Sequence, residues 1–151
     1  MAYHKRIGEM RMLLFAVVAT FFVTSCTDPN QEKIDALKAE AIAVHDEVMP
    51  RMGAIADLRS TLKKQWKDVS ADTSSTGDTI AQFIAGRISM LDSADEAMMS
   101  WMADYDPTYE NEHQSDSAVI YYSGQGEEIK EVKLLMEKAI EDAEELADYF
   151  K

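Results

Sequence analysis

One cysteine, three prolines and six glycines in 151 residues leave this chain with few covalent or conformational fixed points. A single thiol, Cys26, cannot close an intrachain disulfide, so stability must come from a hydrophobic core. Sparse glycine and proline, with no sustained period-two run of β-branched residues, argue against appreciable sheet. Basic charge is also short: 15 Lys and Arg face 28 Asp and Glu, a net charge of −13. That balance excludes a nucleic-acid partner, whose phosphates need a basic face. It argues against direct binding to an anionic lipid surface as well. A cationic ligand stays compatible, but the plainer consequence is a solvated acidic surface that keeps the domain soluble. No GxSxG, P-loop or glycine-rich nucleotide turn is present, and the carboxylate pairs Asp46-Glu47 and Asp92…Asp95-Glu96 sit at positions that face water. An enzyme is not expected.

What the chain does have begins at Met12–Cys26, MLLFAVVATFFVTSC, behind Lys5, Arg6 and Arg11. A basic stretch, an apolar run and a small-residue ending make a secretory signal peptide. The run is about 13 residues, short of the roughly 20 that cross a bilayer as a helix. Val23-Thr24-Ser25-Cys26 resembles the lipobox of bacterial lipoproteins. That resemblance implies cleavage before Cys26 and acylation of its thiol, so residues 1–25 are read as signal peptide and 26–151 as one lipid-anchored domain. Thr27, rather than aspartate, follows the cysteine, which leans to the outer membrane. Residues 1–25 hold three of the basic residues and one acid, leaving 12 against 27, a balance of −15 for the anchored domain.

Past the anchor, Asp28-Pro29 reads as a cap and a first helical residue. Ile34, Leu37, Ala41, Val44, Val48, Met52, Ile55, Leu58, Leu62 and Trp66 form one helical stripe to about Asp68, with a kink expected at Asp46–Pro50 because proline lacks an amide donor. Ser70–Gly77 is a polar loop. A second helix is expected from about Asp78 to Tyr105, closed by Asp106-Pro107, and a third from Ser115–Ser117 to the end. Gly124 and Gly126 in the third mark either a kink, a close helix approach or a frayed start. The fold class predicted is all-α, an antiparallel up-down-up three-helix bundle of long helices. Because the stripes wobble between heptad positions and include Gln125, this is preferred over an extended coiled coil with a second chain.

The most unusual stretch is His45-Asp46-Glu47-Val48-Met49-Pro50-Arg51-Met52. With Cys26 and Met98-Met99-Ser100-Trp101-Met102 it resembles a family of small Bacteroidota lipoproteins carrying HDEVMPxM near the start of a helical domain, some labelled viral A-type inclusion protein through generic coiled-coil similarity. The resemblance covers most of residues 26–151. It implies a lipoprotein with a helical domain and supplies no activity.

Folding the first hairpin at Ser70–Gly77 sets His45 opposite Trp101, Val48 opposite Met98 and Met52 opposite Ala94. Folding the third helix back sets Gly124 by Met98 and Ile120 by Met102. One layer would then gather His45, Met49, Met52, Met98 and Met102 beside Trp101 and Tyr121-Tyr122. Thioethers and imidazole suit copper, and a His/Met pair can ligate haem iron. Methionine at helical spacing is more often an adaptable core filler. His113 falls in a polar loop with Glu110, Glu112 and Asp116 and is expected exposed. The leading expectation is therefore a non-enzymatic cell-envelope lipoprotein, held at a membrane through Cys26, whose bundle is structural or binds an envelope partner. The alternative is a periplasmic copper- or haem-binding protein using the His/Met layer.

Overall fold

The structure, a computed structural model, describes residues 29–72 and 74–150. Residues 1–25, read above as a signal peptide, and Cys26 lie outside the described residues. About 90% of those residues are helical and none is in a strand. Helix α1 is Pro29–Val48, α2 is Met52–Val69, α3 is Ser75–Asp104 and α4 is Ser115–Tyr149. A 3-10 turn, Met49–Arg51, joins α1 to α2, and another, Tyr109–Asn111, lies between α3 and α4.

Because α1 and α2 continue one another through the short turn, the chain forms three rods, as the stripes predict. Pro50 has no amide hydrogen, so the ladder tightens there and Met52 donates to the Met49 carbonyl instead. Ion pairs fix the directions. Glu40 with Lys130, Glu47 with Lys133 and Arg51 with Glu137 align α1 parallel to α4, while His45 against Trp101 and Arg59 against Asp92 and Asp95 set α3 antiparallel to the α1–α2 rod.

The core runs the whole length of the bundle. Ile34, Ala41, Val48, Ile55 and Leu62 are buried at every seventh residue, straight through the Pro50 turn. Ile84, Leu91 and Met98 repeat the spacing on α3, and α4 buries Ala118, Tyr122, Gln125, Ile129, Val132, Met136, Ala139 and Ala143 in strict four-three alternation. This is a cleaner heptad seam than the apolar stripe suggests, since alanines and Gln125 fill seam positions. Ile55, Leu91 and Val132, one from each rod, are all buried.

Three expectations need correction. Helix α3 begins at Ser75, three residues before the predicted Asp78, because Ser74 caps it: its hydroxyl accepts from the Gly77 amide at 3.1 Å. Helix α4 runs unbroken through Gly124 and Gly126, and a Cβ at either would meet nothing within 4 Å, so neither serves a close helix approach. The register of α4 also differs. Ile120 is 74% exposed and cannot lie on Met102, while the Trp101 indole donates to the Gln125 carbonyl at 3.1 Å. The segment after α3 is not a simple turn: it carries its own 3-10 turn, whose Tyr109 packs against Ile34, Ala118 and Tyr122, and Trp101 meets Gln125, about one helical turn from the expected register.

Candidate functional site

His45 lies on α1, Met49 in the Pro50 turn, Met52 at the start of α2, and Met98 and Met102 on α3. Met98 is fully buried, and Met49, Met52 and Met102 are half-buried against the same core. His45, in the last turn of α1, stacks on Trp101 with ring centroids 5.6 Å apart, as the hairpin register requires. Its Nδ1 lies 2.9 Å from the neighbouring Asp46 carboxylate. Met49, Met52, Met98 and Met102 thus all pack on the core that runs along the bundle, in which Met136 of α4 is also buried. Tyr121 and Tyr122, expected in this layer, belong instead to the next one toward the α3–α4 connection. Among the described residues no three His, Asp or Glu side chains converge on a common point.

A second constellation was not predicted. Lys38 of α1 reaches across to Glu110, in the 3-10 turn, and to the Pro107 carbonyl at 2.7 Å. The Tyr122 hydroxyl donates to Glu110, and Lys38 stands 5.3 Å over the Tyr122 ring. Burial raises the Glu110 carboxyl, but hydrogen bonds from Lys38 and Tyr122 and the lysine charge outweigh it and take the pKa down to about 2. Burial, then the Glu110 contact and charge, push Tyr122 well above the usual tyrosine value. Around this polar centre the rings form two stacks, joined by tilted and edge-on contacts through Tyr122. Trp101 meets Tyr105 at 4.9 Å, and Tyr109 lies between His113 at 3.7 Å and Tyr121 at 4.1 Å. The Tyr121 hydroxyl bonds the Asp104 carbonyl and receives the Asp106 amide.

This arrangement latches the α3–α4 connection onto α1. The readable signal was aromatic: Tyr109 and His113 in an otherwise polar loop, and the Tyr121-Tyr122 pair on the following helix. What hid it is the Lys38–Glu110 pairing, which spans 72 positions in sequence. His113 is exposed as expected, with its Nδ1 2.8 Å from the Tyr109 carbonyl. It shares no partner with Glu110, so the Glu110-x-x-His113 spacing makes no joint site.

At the other end of the bundle, α3 and α4 enclose a groove of about 460 Å³ lined by Ile80, Phe83, Leu146, Tyr149 and Phe150. Arg87 and the 8%-exposed carboxylate of Asp142 pair at 3.2 Å beside it, and Arg87 stacks over Phe83. Aromatic exposure is unusually high here, at 56% for Phe83 and 81% for Tyr149. No family model matches this chain, and neither a curated relative nor a solved structure does.

Proposed function

We propose that the protein is a cell-envelope lipoprotein, held through Cys26 and favouring the outer membrane, whose bundle serves as a non-enzymatic structural or partner-binding rod. The observation that carries this reading is the polarity of the rod. Asn30 bonds Ser115 and Asp116, so α1 starts at the latched, tyrosine-rich end, and a tether at Cys26, four residues earlier, would join the rod there. The aromatic groove of Phe83, Tyr149 and Phe150 stands at the opposite end, about 52 Å along α4 at 1.5 Å per residue. A tether at one end and exposed aromatic surface at the other suit a spacer that presents its tip to a partner. The core is filled by the chain's own side chains throughout, as a structural rod needs.

The test is Cys26→Ser in cells given a lipid label. The expected outcome is loss of labelling, with the protein released from membranes or held as precursor. Undiminished labelling of the variant overturns the lipoprotein reading.

A second reading, copper or haem held by His45, Met49, Met52, Met98 and Met102, draws support from the four methionines packing on one core and from His45 stacked on the Trp101 of that core. Cu(I), Cu(II), Zn(II) or haem binding only the native state would raise stability by about 2.7 kcal/mol at a hundredfold excess over Kd. Melting with each added is expected to show no shift. A shift abolished by Met98→Leu, which conserves volume and costs under about 1.5 kcal/mol as a core change, would establish the metal site.

A further inference from the structure

The acid surplus is not evenly spread. Among the described residues, Lys38, Arg51, Arg59, Arg87, Lys130, Lys133 and Lys138 all have a carboxylate within 4 Å. Lys33 does not, and neither do Lys63, Lys64 and Lys67, which stand together on the last turns of α2. All three of these are exposed, and Trp66, between them in sequence, is 43% exposed. Lys63, Trp66 and Lys67 flank a furrow of about 440 Å³ whose other wall is Ala85 and Ile88 of α3. Up the same face of α2 come Ser60, Ala56 and Gly53, exposed and uncharged. Asp57 and Asp68 stand on its flanks, and Arg59 is occupied by Asp92 and Asp95.

We infer that this ridge is a membrane-contact site for anionic lipid headgroups. Free lysines around a half-exposed indole match an anionic interface: ammonium groups meet phosphates while the ring enters the headgroup layer. The contact is too small for a stable protein interface, which takes about 20–30 residues a side. A lipid surface asks less. Given the anchor of the preceding proposal, on which this one rests, the tether supplies a high local concentration, so a few weak contacts suffice. Against Asp57 and Asp68 on the same helix the three lysines keep a surplus of one positive charge, and charges more than about 8 Å away are largely screened at physiological salt.

The ridge is about 54 Å along α1 and α2 from Pro29, counting 1.5 Å per residue. The rod therefore either lies along its own bilayer or reaches a second one. Both place Lys63, Lys64 and Lys67 against headgroups.

The experiment uses residues 26–151, which contain every described element, with Cys26 coupled to a maleimide lipid in vesicles. Chemical coupling bypasses cellular acylation, so this test and the Cys26→Ser test fail independently. Trp101 is 2% exposed, which leaves Trp66 as the tryptophan able to respond. Phosphatidylcholine vesicles containing phosphatidylglycerol should shift its emission to the blue, and brominated lipid should quench it. Pure phosphatidylcholine should do neither. The effect should vanish in 1 M salt, where the Debye length falls to about 3 Å, and in the variant carrying Lys63→Glu, Lys64→Glu and Lys67→Glu with unchanged circular dichroism. An equal shift on neutral vesicles, or one that survives the triple change, overturns the proposal. No shift on anionic vesicles, with a shift on adding poly-glutamate, assigns the ridge to an acidic polypeptide instead. No shift with either leaves it a solvated surface and overturns the proposal too.

Discussion

Gly77 and Gly126 are both helical and both buried, yet the surroundings demand opposite things of them. A Cβ at Gly77 would lie 2.5 Å from the Asp72 carbonyl oxygen, a backbone atom that cannot swing aside. That closeness comes from the cap: Asp72 accepts the Ser74 amide, and Ser74 accepts the Gly77 amide, folding the loop onto the first turn of α3. Gly77→Ala should therefore cost about 1–3 kcal/mol, as overpacking does. Around Gly126 the space is open, so Gly126→Ala should stabilise by up to about 1 kcal/mol through helix propensity and a less free unfolded chain. Urea denaturation of both variants checks this, and equal signs would contradict the cap geometry. Sequence distinguished neither case, because a glycine's neighbours across a turn depend on where the helix starts. The predicted start at Asp78 left Gly77 in a loop. His45 against Trp101 was legible for the opposite reason: a short loop between two regular helices fixes which residues face each other.

At the scale of elements, regularity was legible and irregularity was not. An α-helix drifts by about 20° per heptad against a seven-residue repeat. From Ile34 to Leu62 that would accumulate to about 80° in a straight helix. Three 3-10 residues at Met49–Arg51, turning about 120° each in place of about 100°, restore roughly 60° of it. The proline turn thus keeps Ile55 and Leu62 on the face that Ile34 and Ala41 began, which explains why the stripe stayed in phase across Pro50. The α3–α4 connection had no period to read, and there the register slipped by a turn.

That connection's latch titrates. Glu110 has a folded pKa of about 2, below its ordinary 4.5, so it contributes stability fully above pH 4.5 and loses it as pH falls toward 2. Tyr122 is raised from 10.0, so its contribution holds below pH 10 and is lost as pH rises above that. Glu110→Gln should lower the melting temperature at neutral pH. The gap from the unaltered protein should narrow between pH 4.5 and 2, and a gap that stays constant across that range would show the carboxylate's charge to be irrelevant.

Taken whole, the molecule closes its own seams. Among the described residues, the buried apolar side chains of α4 pack into the same two clusters as those of α1, α2 and α3. Of the exposed apolar residues on α4, Ile120 at 74% and Leu134 at 65% exposure lie among Glu127, Glu131 and Glu141, and Tyr149 belongs to the groove at the far end. Two such faces brought together would bury like charges, and the net charge of −13 adds repulsion at longer range. The domain without lipid should accordingly sediment as a monomer at micromolar concentration, with no increase in mass as ionic strength rises and the repulsion is screened. A mass that doubles with salt would mean that only charge keeps the outer faces apart, and would restore the two-chain coiled coil. Leu91→Ala gives the complementary measurement. Its side chain is fully buried, so truncation should cost about 2–5 kcal/mol. In a monomer that loss is independent of protein concentration, whereas in a coupled dimer the measured stability of both proteins would climb as the concentration is raised.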